Sequence, residues 1–158
     1  TDRSERRLQV LKRRTSRAQI FNYRTATWDG SARLPTKTKF DGILVDAPCS
    51  GVGTWHRNPH ARWTTSIEDV RELAVTQRAM LEHVVGSLKP GGRLIYAVCT
   101  LPRSETTAVA ESFAAAHPEL APLPLFGAEP GSPNSQLFLW PHELNANGMF
   151  VAGWQRKD

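Results

Sequence analysis

Two short apolar runs, each followed at once by small and polar residues, stand out in the pattern of the chain. Ile43-Leu44-Val45 leads into Asp46 and then Cys49, and Leu94 to Val98 leads into Cys99. A continuous apolar run bounded by turn residues is typical of a buried strand in a parallel sheet. Because open α/β sheets place their chemistry where such strands end, the pattern predicts a site formed at two strand ends.

Three other segments have apolar residues at the spacing of a helix. They cover residues 2–17, residues 66–88 and residues 106–116. The first has Ser4 as a candidate N-cap, and the second opens on Ser66-Ile67-Glu68-Asp69, which resembles a capping box. The buried stripe that we predict for the second helix includes a polar residue, and it consists of Ile67, Val70, Leu73, Ala74, Gln77, Met80, Leu81, Val84 and Leu88.

The remaining segments are predicted as strands and loops. Residues 19–23 are a strand candidate, residues 54–65 lack any period and are expected to form a loop, and residues 121–135 are expected to form an irregular crossover. Residues 136–140 and 149–154 should pair as a hairpin. The order predicts one α/β domain with a Rossmann-like, mostly parallel sheet closed by an antiparallel hairpin.

The net positive charge of the chain predicts a polyanion among its partners. Twenty Lys and Arg residues against fifteen Asp and Glu residues give a net charge of +5 and a pI near 9.7. The most basic segment, residues 2–17, is either a solvated helix face or a patch for the RNA backbone. No apolar run approaches the roughly 18 residues of a membrane helix. The two cysteines are expected to be reduced thiols in a cytoplasmic protein.

The strand ends carry the candidate chemistry. Neighbouring strands lie about 5 Å apart, so Cys49 and Cys99 are expected to share one crevice with Asp46. A thiolate is a strong nucleophile that attacks an electron-poor ring carbon, such as carbon 6 of a pyrimidine. A structural cysteine and an Asp that accepts backbone hydrogen bonds are the alternative. Metal binding is not expected, because no Cys-x-x-Cys or His-x-His pair supplies further ligands.

Longer patterns surround these residues, in a fixed order along nearly the whole chain. They are Asp46 to Thr54 with Arg57-Asn58-Pro59 and Arg62-Trp63, Gln77 and Leu81, Lys89 to Tyr96, Cys99-Thr100-Leu101 with Glu105, Pro141-His142, and Asn147 to Ala152. Together they resemble the RNA cytosine-5 methyltransferases of the Sun/Fmu family. The resemblance implies a class I methyltransferase fold and methyl transfer from S-adenosylmethionine to carbon 5 of cytosine in rRNA or tRNA.

The resemblance also implies a role for individual residues. Cys99 matches the nucleophile that adds to carbon 6, and Cys49 matches the second thiol, which helps to expel the enzyme after transfer. Asp46 matches the residue that holds and protonates the ring near N3. Arg57 and Arg62 are candidates for steering the RNA backbone. The target base is expected to leave its stack to reach these groups.

The cofactor site is only partly represented. Asp2 falls where the family places a carboxylate on the ribose hydroxyls, and Asp29 falls where one meets the adenine amino group. Asp46 and Pro48 complete the expected contacts. In the alternative interpretation, Asp2 and Asp29 are capping or solvent-facing residues. The family's Asp-x-Cys-Ala-Ala-Pro-Gly-Gly-Lys-Thr loop has no counterpart here. Residues 1–158 are therefore predicted to be the C-terminal part of a catalytic domain, truncated at its N-terminus. On its own this part is expected to bind the cofactor poorly or not at all, and to be weakly active or inactive.

Two other functions remain open at this point. A basic RNA-binding module of the same fold would need no chemistry at the thiols. An amino-group methylase would favour an Asn/Asp-Pro-Pro-aromatic strand end, where the exocyclic amine attacks directly. Asp46-Ala47-Pro48-Cys49 departs from that pattern, which argues against the second alternative.

Overall fold

A computed structural model describes residues 1–125 and 134–158, in which helices pack against a single five-stranded sheet. The helices are α1 (Glu5–Arg17), α2 (Ala61–Thr64), α3 (Ile67–Val85), α4 (Thr107–Ala116) and α5 (Pro141–Leu144). The strands are β1 (Phe40–Asp46), β2 (Leu88–Val98), β3 (Leu120–Pro122), β4 (Gln136–Leu139) and β5 (Met149–Arg156). Short 3-10 turns cover Val52–Thr54 and Arg103–Glu105.

The sheet runs in the order β1-β2-β5-β3. The edge of β5 that faces away from β2 pairs with two strands: its C-terminal end pairs with β3, and its N-terminal end pairs with β4. β1 and β2 are parallel, whereas β5 runs antiparallel to β2, β3 and β4. The predicted α/β class and the closing β4–β5 hairpin are confirmed. Within the described residues the sheet is mixed, and its one parallel pair is the pair that carries the two cysteines.

The long helix α3 begins as its sequence predicts. The Ser66 side chain accepts a hydrogen bond from the Asp69 amide, and the Asp69 carboxylate accepts one from the Ser66 amide, so the capping box is present. The predicted end at residue 88 is wrong. The helix stops at Val85, and Leu88 already belongs to β2, where it pairs with Phe40.

The buried face of α3 covers the β1–β2 pair and α4. Its fully buried side chains include Gln77 and Leu81, while Ile67, which the periodicity placed in the stripe, is exposed. The same core includes buried side chains from β2, α4 and β5, which are Leu94, Tyr96, Val98, Phe113, Phe150 and Trp154. The two cysteine-bearing strand ends are therefore held over a well-packed interior.

Three other predictions differ from the structure. Residues 19–23 do not form a strand: Gln19 has φ +55°, which turns the chain sharply after α1, and the one bridge nearby joins Asp2 to Thr27. The segment 54–65 contains a turn and the short helix α2. The crossover predicted over 121–135 begins as β3, because Leu120 to Pro122 pair with β5; residues 126–133 lie outside the described ranges.

Candidate active site

The two thiols lie side by side at the ends of the parallel pair. Asp46 is in register with Ala97, and the Ala47 amide donates to the Ala97 carbonyl, so both strands end at the same edge of the sheet. The chain then places Cys49 Sγ 3.4 Å from Cys99 Sγ. Both residues are free cysteines and half-buried. The convergence that the two apolar runs predict is therefore present, and a hydrogen bond joins the two sulfur atoms.

A buried carboxylate below the thiols connects their two loops. Glu105 is fully buried, and its carboxylate accepts hydrogen bonds from the Ser50 amide (2.9 Å), Gln77 Nε2 (2.9 Å) and Thr100 Oγ1 (3.1 Å). The Ser50 hydroxyl also donates to it. These partners come from the loop after β1, from α3 and from the loop after β2. Because buried charged groups need such donors, Glu105 holds the three segments in one arrangement.

Gln77 and Tyr96 extend this network into the core. Gln77 Nε2 also donates to the Pro48 carbonyl (2.9 Å), and the Tyr96 hydroxyl lies 2.7 Å from the Glu105 carbonyl oxygen and 3.0 Å from Gln77 Oε1. Burial raises the pKa of Tyr96, so it stays a neutral donor. The sequence did contain a signal for this support: Gln77 is a polar residue in an otherwise apolar stripe.

Two glycines bring the loop after Cys49 into direct backbone contact with the turn before β5. The Gly53 amide donates to the Cys99 carbonyl (3.1 Å), and the Gly148 amide donates to the Gly53 carbonyl (2.8 Å). A Cβ atom on Gly53 would lie 2.0 Å from the Gly148 carbonyl oxygen. Only glycine allows this approach, which fixes the position of the Cys99 backbone.

The electrostatics of the pair make the two thiols unequal. A hydrogen bond from Cys49 lowers the pKa of Cys99 to about 6, against the opposing effects of burial and of the Asp46 charge, and Arg57 favours the same thiolate. The pKa of Cys49 is raised by its hydrogen bond to Cys99, by burial, by the charge of the Cys99 thiolate and by the Glu105 charge. At neutral pH the pair therefore holds one proton, with Cys99 as the thiolate and Cys49 as the thiol.

This inequality predicts the pH dependence of thiol alkylation. We expect the rate of Cys99 modification by iodoacetamide to rise with a midpoint near pH 6. In Cys49→Ala the midpoint should rise toward about 8.5, the value of an ordinary thiol, because the hydrogen-bond donor is lost. Mass spectrometry of the peptide that contains Cys99 gives the rate at each pH. Cys49→Ser, which keeps a donor, is the matched control, and equal midpoints in the wild type and in Cys49→Ala would contradict this account.

The other residues singled out around the thiols lie at the surface of the same edge. Asp46 and Arg57 are exposed, and both charges act on the pKa of Cys99, which Asp46 raises and Arg57 lowers. Pro48 is exposed, and Gln77 holds its carbonyl group. Arg62 is exposed on α2, where its guanidinium lies 5.6 Å from the centre of the Trp63 ring.

Asp2 and Asp29 lie together in a different place. The Trp28 amide donates to the Asp2 carbonyl (3.1 Å), and Asp29 lines an open groove of about 360 Å³ with Trp28 and Arg3. The Asp2 carboxylate accepts from the Ser4 amide (2.7 Å), as a residue that helps to cap α1 would. The Asp29 carboxylate is exposed, and hydrogen bonds from Ser31 lower its pKa.

The described residues contain neither a candidate metal site nor a candidate membrane-spanning helix. No three His, Cys, Asp or Glu side chains in residues 1–125 and 134–158 come close enough together to hold a metal ion. In the same two ranges, no helix combines the length and the apolar character that crossing a bilayer requires.

Comparison with known proteins gives the family. The model of the 16S rRNA methyltransferase RsmB/F family matches residues 1–155. The chain is 36% identical to the ribosomal RNA small subunit methyltransferase F of Aeromonas salmonicida (strain A449), over 94% of this chain and 33% of that relative. The chain thus spans about a third of the length of the curated relatives it matches.

Solved structures agree with this assignment. The crystal structure of PH0851 superposes with a TM-score of 0.88 at 30% identity, over 98% of this chain and 36% of that one. NSun6 from Pyrococcus horikoshii, crystallised with SFG, superposes with a TM-score of 0.82 at 26% identity, over 99% of this chain and 40% of that one. With residues 1–155 matched by the family model and 94% of the chain aligned to a relative of the same description, the chain belongs to the 16S rRNA methyltransferase RsmB/F family.

Proposed function

We propose that the chain carries the catalytic residues of an enzyme that methylates carbon 5 of a cytosine in RNA, with rRNA as the expected substrate. The observation that carries the proposal is the pair of thiols 3.4 Å apart, whose mutual hydrogen bond lowers the pKa of Cys99 and raises the pKa of Cys49. A single nucleophile would need only one cysteine. Two unequal thiols at one sheet edge suit a reaction that both forms and breaks a bond to carbon.

The first step is addition of the Cys99 thiolate to carbon 6 of a flipped-out cytosine. A carbon–sulfur bond forms, the electrons of the ring double bond move to make carbon 5 nucleophilic, and N3 takes up a proton. We assign the transfer of this proton to the carboxyl group of Asp46, which is exposed at the end of β1. Arg57 stabilises the thiolate before the attack and is free to contact the RNA backbone.

S-adenosylmethionine supplies an electrophilic methyl group for carbon 5 when it is bound. The residues present fit its adenosine half: Asp29 lines the open groove beside Trp28, whose amide donates to the Asp2 carbonyl, and carboxylates of this kind can accept hydrogen bonds from ribose hydroxyls and an amino group. Asp46 and Pro48, at the end of β1, are the residues nearest the thiols that we assign to the same cofactor. NSun6, a structural relative, was crystallised with SFG, an analogue of this cofactor.

The last step needs a base, which we assign to Cys49. Once Cys99 is bound to carbon, it no longer carries the charge that raises the pKa of Cys49, so the second thiol can lose its proton to solvent. The Cys49 thiolate then takes the hydrogen from carbon 5. The ring double bond re-forms, the Cys99–carbon bond breaks, and N3 returns its proton to Asp46. The overall products are 5-methylcytosine, the demethylated cofactor and one proton.

The proposal is tested by trapping. RNA that carries 5-fluorocytosine has no hydrogen on carbon 5 for Cys49 to remove, so the covalent product should accumulate when S-adenosylmethionine is present. We expect a band that survives denaturing electrophoresis and whose cross-linked peptide contains Cys99. The test applies to this chain and to a protein of full family length that contains it. RNA binding by both, without an adduct from either, would overturn the proposal in favour of a non-catalytic RNA-binding domain.

A further inference from the structure

Trp63 is exposed to an extent that is unusual for its residue type. Its side chain is 81% exposed, the highest value among the large apolar side chains in the described residues. Tryptophan is highly buried on average, because its large apolar surface is costly to hydrate. The indole lies on the four-residue helix α2, and the Arg62 guanidinium lies 5.6 Å from the centre of its ring.

The position of Trp63 relates it to the thiols. The next two residues, Thr64 and Thr65, line an open groove of about 380 Å³, and Cys49 and Ser50 line the same groove. Trp63 therefore directly precedes two residues that line the open groove reaching the second thiol. A strand of RNA that delivers a base to Cys99 would pass this region.

The charge of the surrounding segment has one sign. Between Cys49 and Ser66 the sequence contains no Asp or Glu, while Arg57 and Arg62 are exposed; the carboxylates that line the groove, Asp69 and Glu72, belong to α3. Neither arginine forms an ion pair with any residue that the structure describes. An exposed aromatic ring among unpaired cations is the surface chemistry that binds unpaired nucleotides, in which bases stack on the ring and phosphates contact the cations.

We propose that Trp63 is a stacking platform for an unpaired nucleobase of the RNA substrate, next to the cytosine that leaves its stack. Arg62 and Arg57 hold the adjoining phosphates. The inference rests on the proposed function for the class of ligand, RNA, and it assigns to Trp63 a role in recognition and none in the chemical steps.

The test is a binding titration of the chain with a fluorescently labelled single-stranded RNA of about a dozen pyrimidines, followed by anisotropy. Trp63→Ala should weaken binding by about 5- to 150-fold, the range measured for loss of one stacked base. Trp63→Phe should retain most of the affinity, because it keeps an aromatic face. Phe21→Ala removes another exposed aromatic ring, 75% exposed, and is the matched control that should bind as the wild type does.

Salt and abasic RNA separate stacking from charge. Arg57→Ala should reduce the slope of log Kd against log salt by about 0.7, whereas Trp63→Ala should leave this slope unchanged. On an abasic RNA of equal length, the wild type and Trp63→Ala should bind equally. A loss of affinity in Trp63→Ala that persists on abasic RNA would overturn the platform, and so would an equal loss of affinity in Phe21→Ala. Wild-type affinity in Trp63→Ala would also overturn it, and this result is expected if another protein segment covers the ring.

The result of the Trp63→Ala binding experiment is independent of the result of the trapping experiment. A covalent adduct with wild-type affinity in Trp63→Ala would overturn the platform and leave the proposed function intact. Weakened binding in Trp63→Ala without an adduct in any protein would support the platform and overturn the methylation chemistry. Because Trp63 is exposed, its replacement should leave the urea midpoint unchanged, which shows that the variant is folded.

Discussion

Replacing Cys99 with serine is expected to abolish the covalent RNA adduct, lowering its rate of formation by on the order of 10⁴-fold or more. A serine hydroxyl stays protonated at neutral pH, so the group that attacks carbon 6 is lost, while the surface that contacts RNA is unchanged. RNA affinity should therefore match that of the wild type. The measurement is the yield of trapped product with 5-fluorocytosine RNA, beside a titration of binding by anisotropy.

Cys49→Ser is the matched variant and should have the opposite phenotype. Addition and methyl transfer proceed, but release slows by about 10²- to 10⁴-fold because the base is lost. The adduct should then accumulate even on RNA with ordinary cytosine. Since the sulfur atoms are only 3.4 Å apart, geometry alone permits either order. An adduct through Cys49 in Cys99→Ser would show that the two roles are exchanged.

Gly53→Ala should lower the free energy of unfolding by about 3 kcal/mol or more, the upper range for overpacking. The new Cβ would lie 2.0 Å from the Gly148 carbonyl oxygen and 2.6 Å from its carbon, so two backbone segments must move apart. Gly86→Ala is the control: no heavy atom lies within 4 Å of its Cβ, and its φ of −62° suits alanine. Urea denaturation of both variants gives the comparison.

The same substitution should also disturb the thiols. The Gly53 amide donates to the Cys99 carbonyl, so displacing the loop moves the backbone that carries the Cys99 thiol. In any Gly53→Ala protein that remains folded, the alkylation midpoint of Cys99 should shift upward as the two sulfurs separate. An unfolding free energy within 1 kcal/mol of the wild type would contradict the contact between the two glycines.

The elements that could be predicted from the sequence are those with local causes. The apolar runs at residues 43–45 and 94–98 indicate buried strands, and residues placed just after parallel strands necessarily meet at one edge. Ser66 and Asp69 cap their helix through contacts within a single turn. For the same reason the β4–β5 hairpin, which joins segments close in sequence, was predicted within a few residues.

The features that could not be predicted depend on distant partners. Residues 19–23 have the composition of a strand, but in the described structure they have no strand beside them to satisfy their backbone groups. Glu105 belongs to a residue type that is rarely fully buried, and its burial depends on donors from Ser50, Gln77 and Thr100, which the fold alone brings together. The exposure of Trp63 is likewise a property of the folded surface.

The burial of Glu105 under the thiols has a consequence for how this family can change. Its hydrogen bonds serve the packing of α3 and the placement of Cys49 and Cys99 at once, so the same side chains stabilise the fold and position the two thiols. Selection for heat resistance and selection for turnover would act on the same side chains. Adaptation to a new growth temperature would then have to leave these positions untouched and make its adjustments in the outer layers.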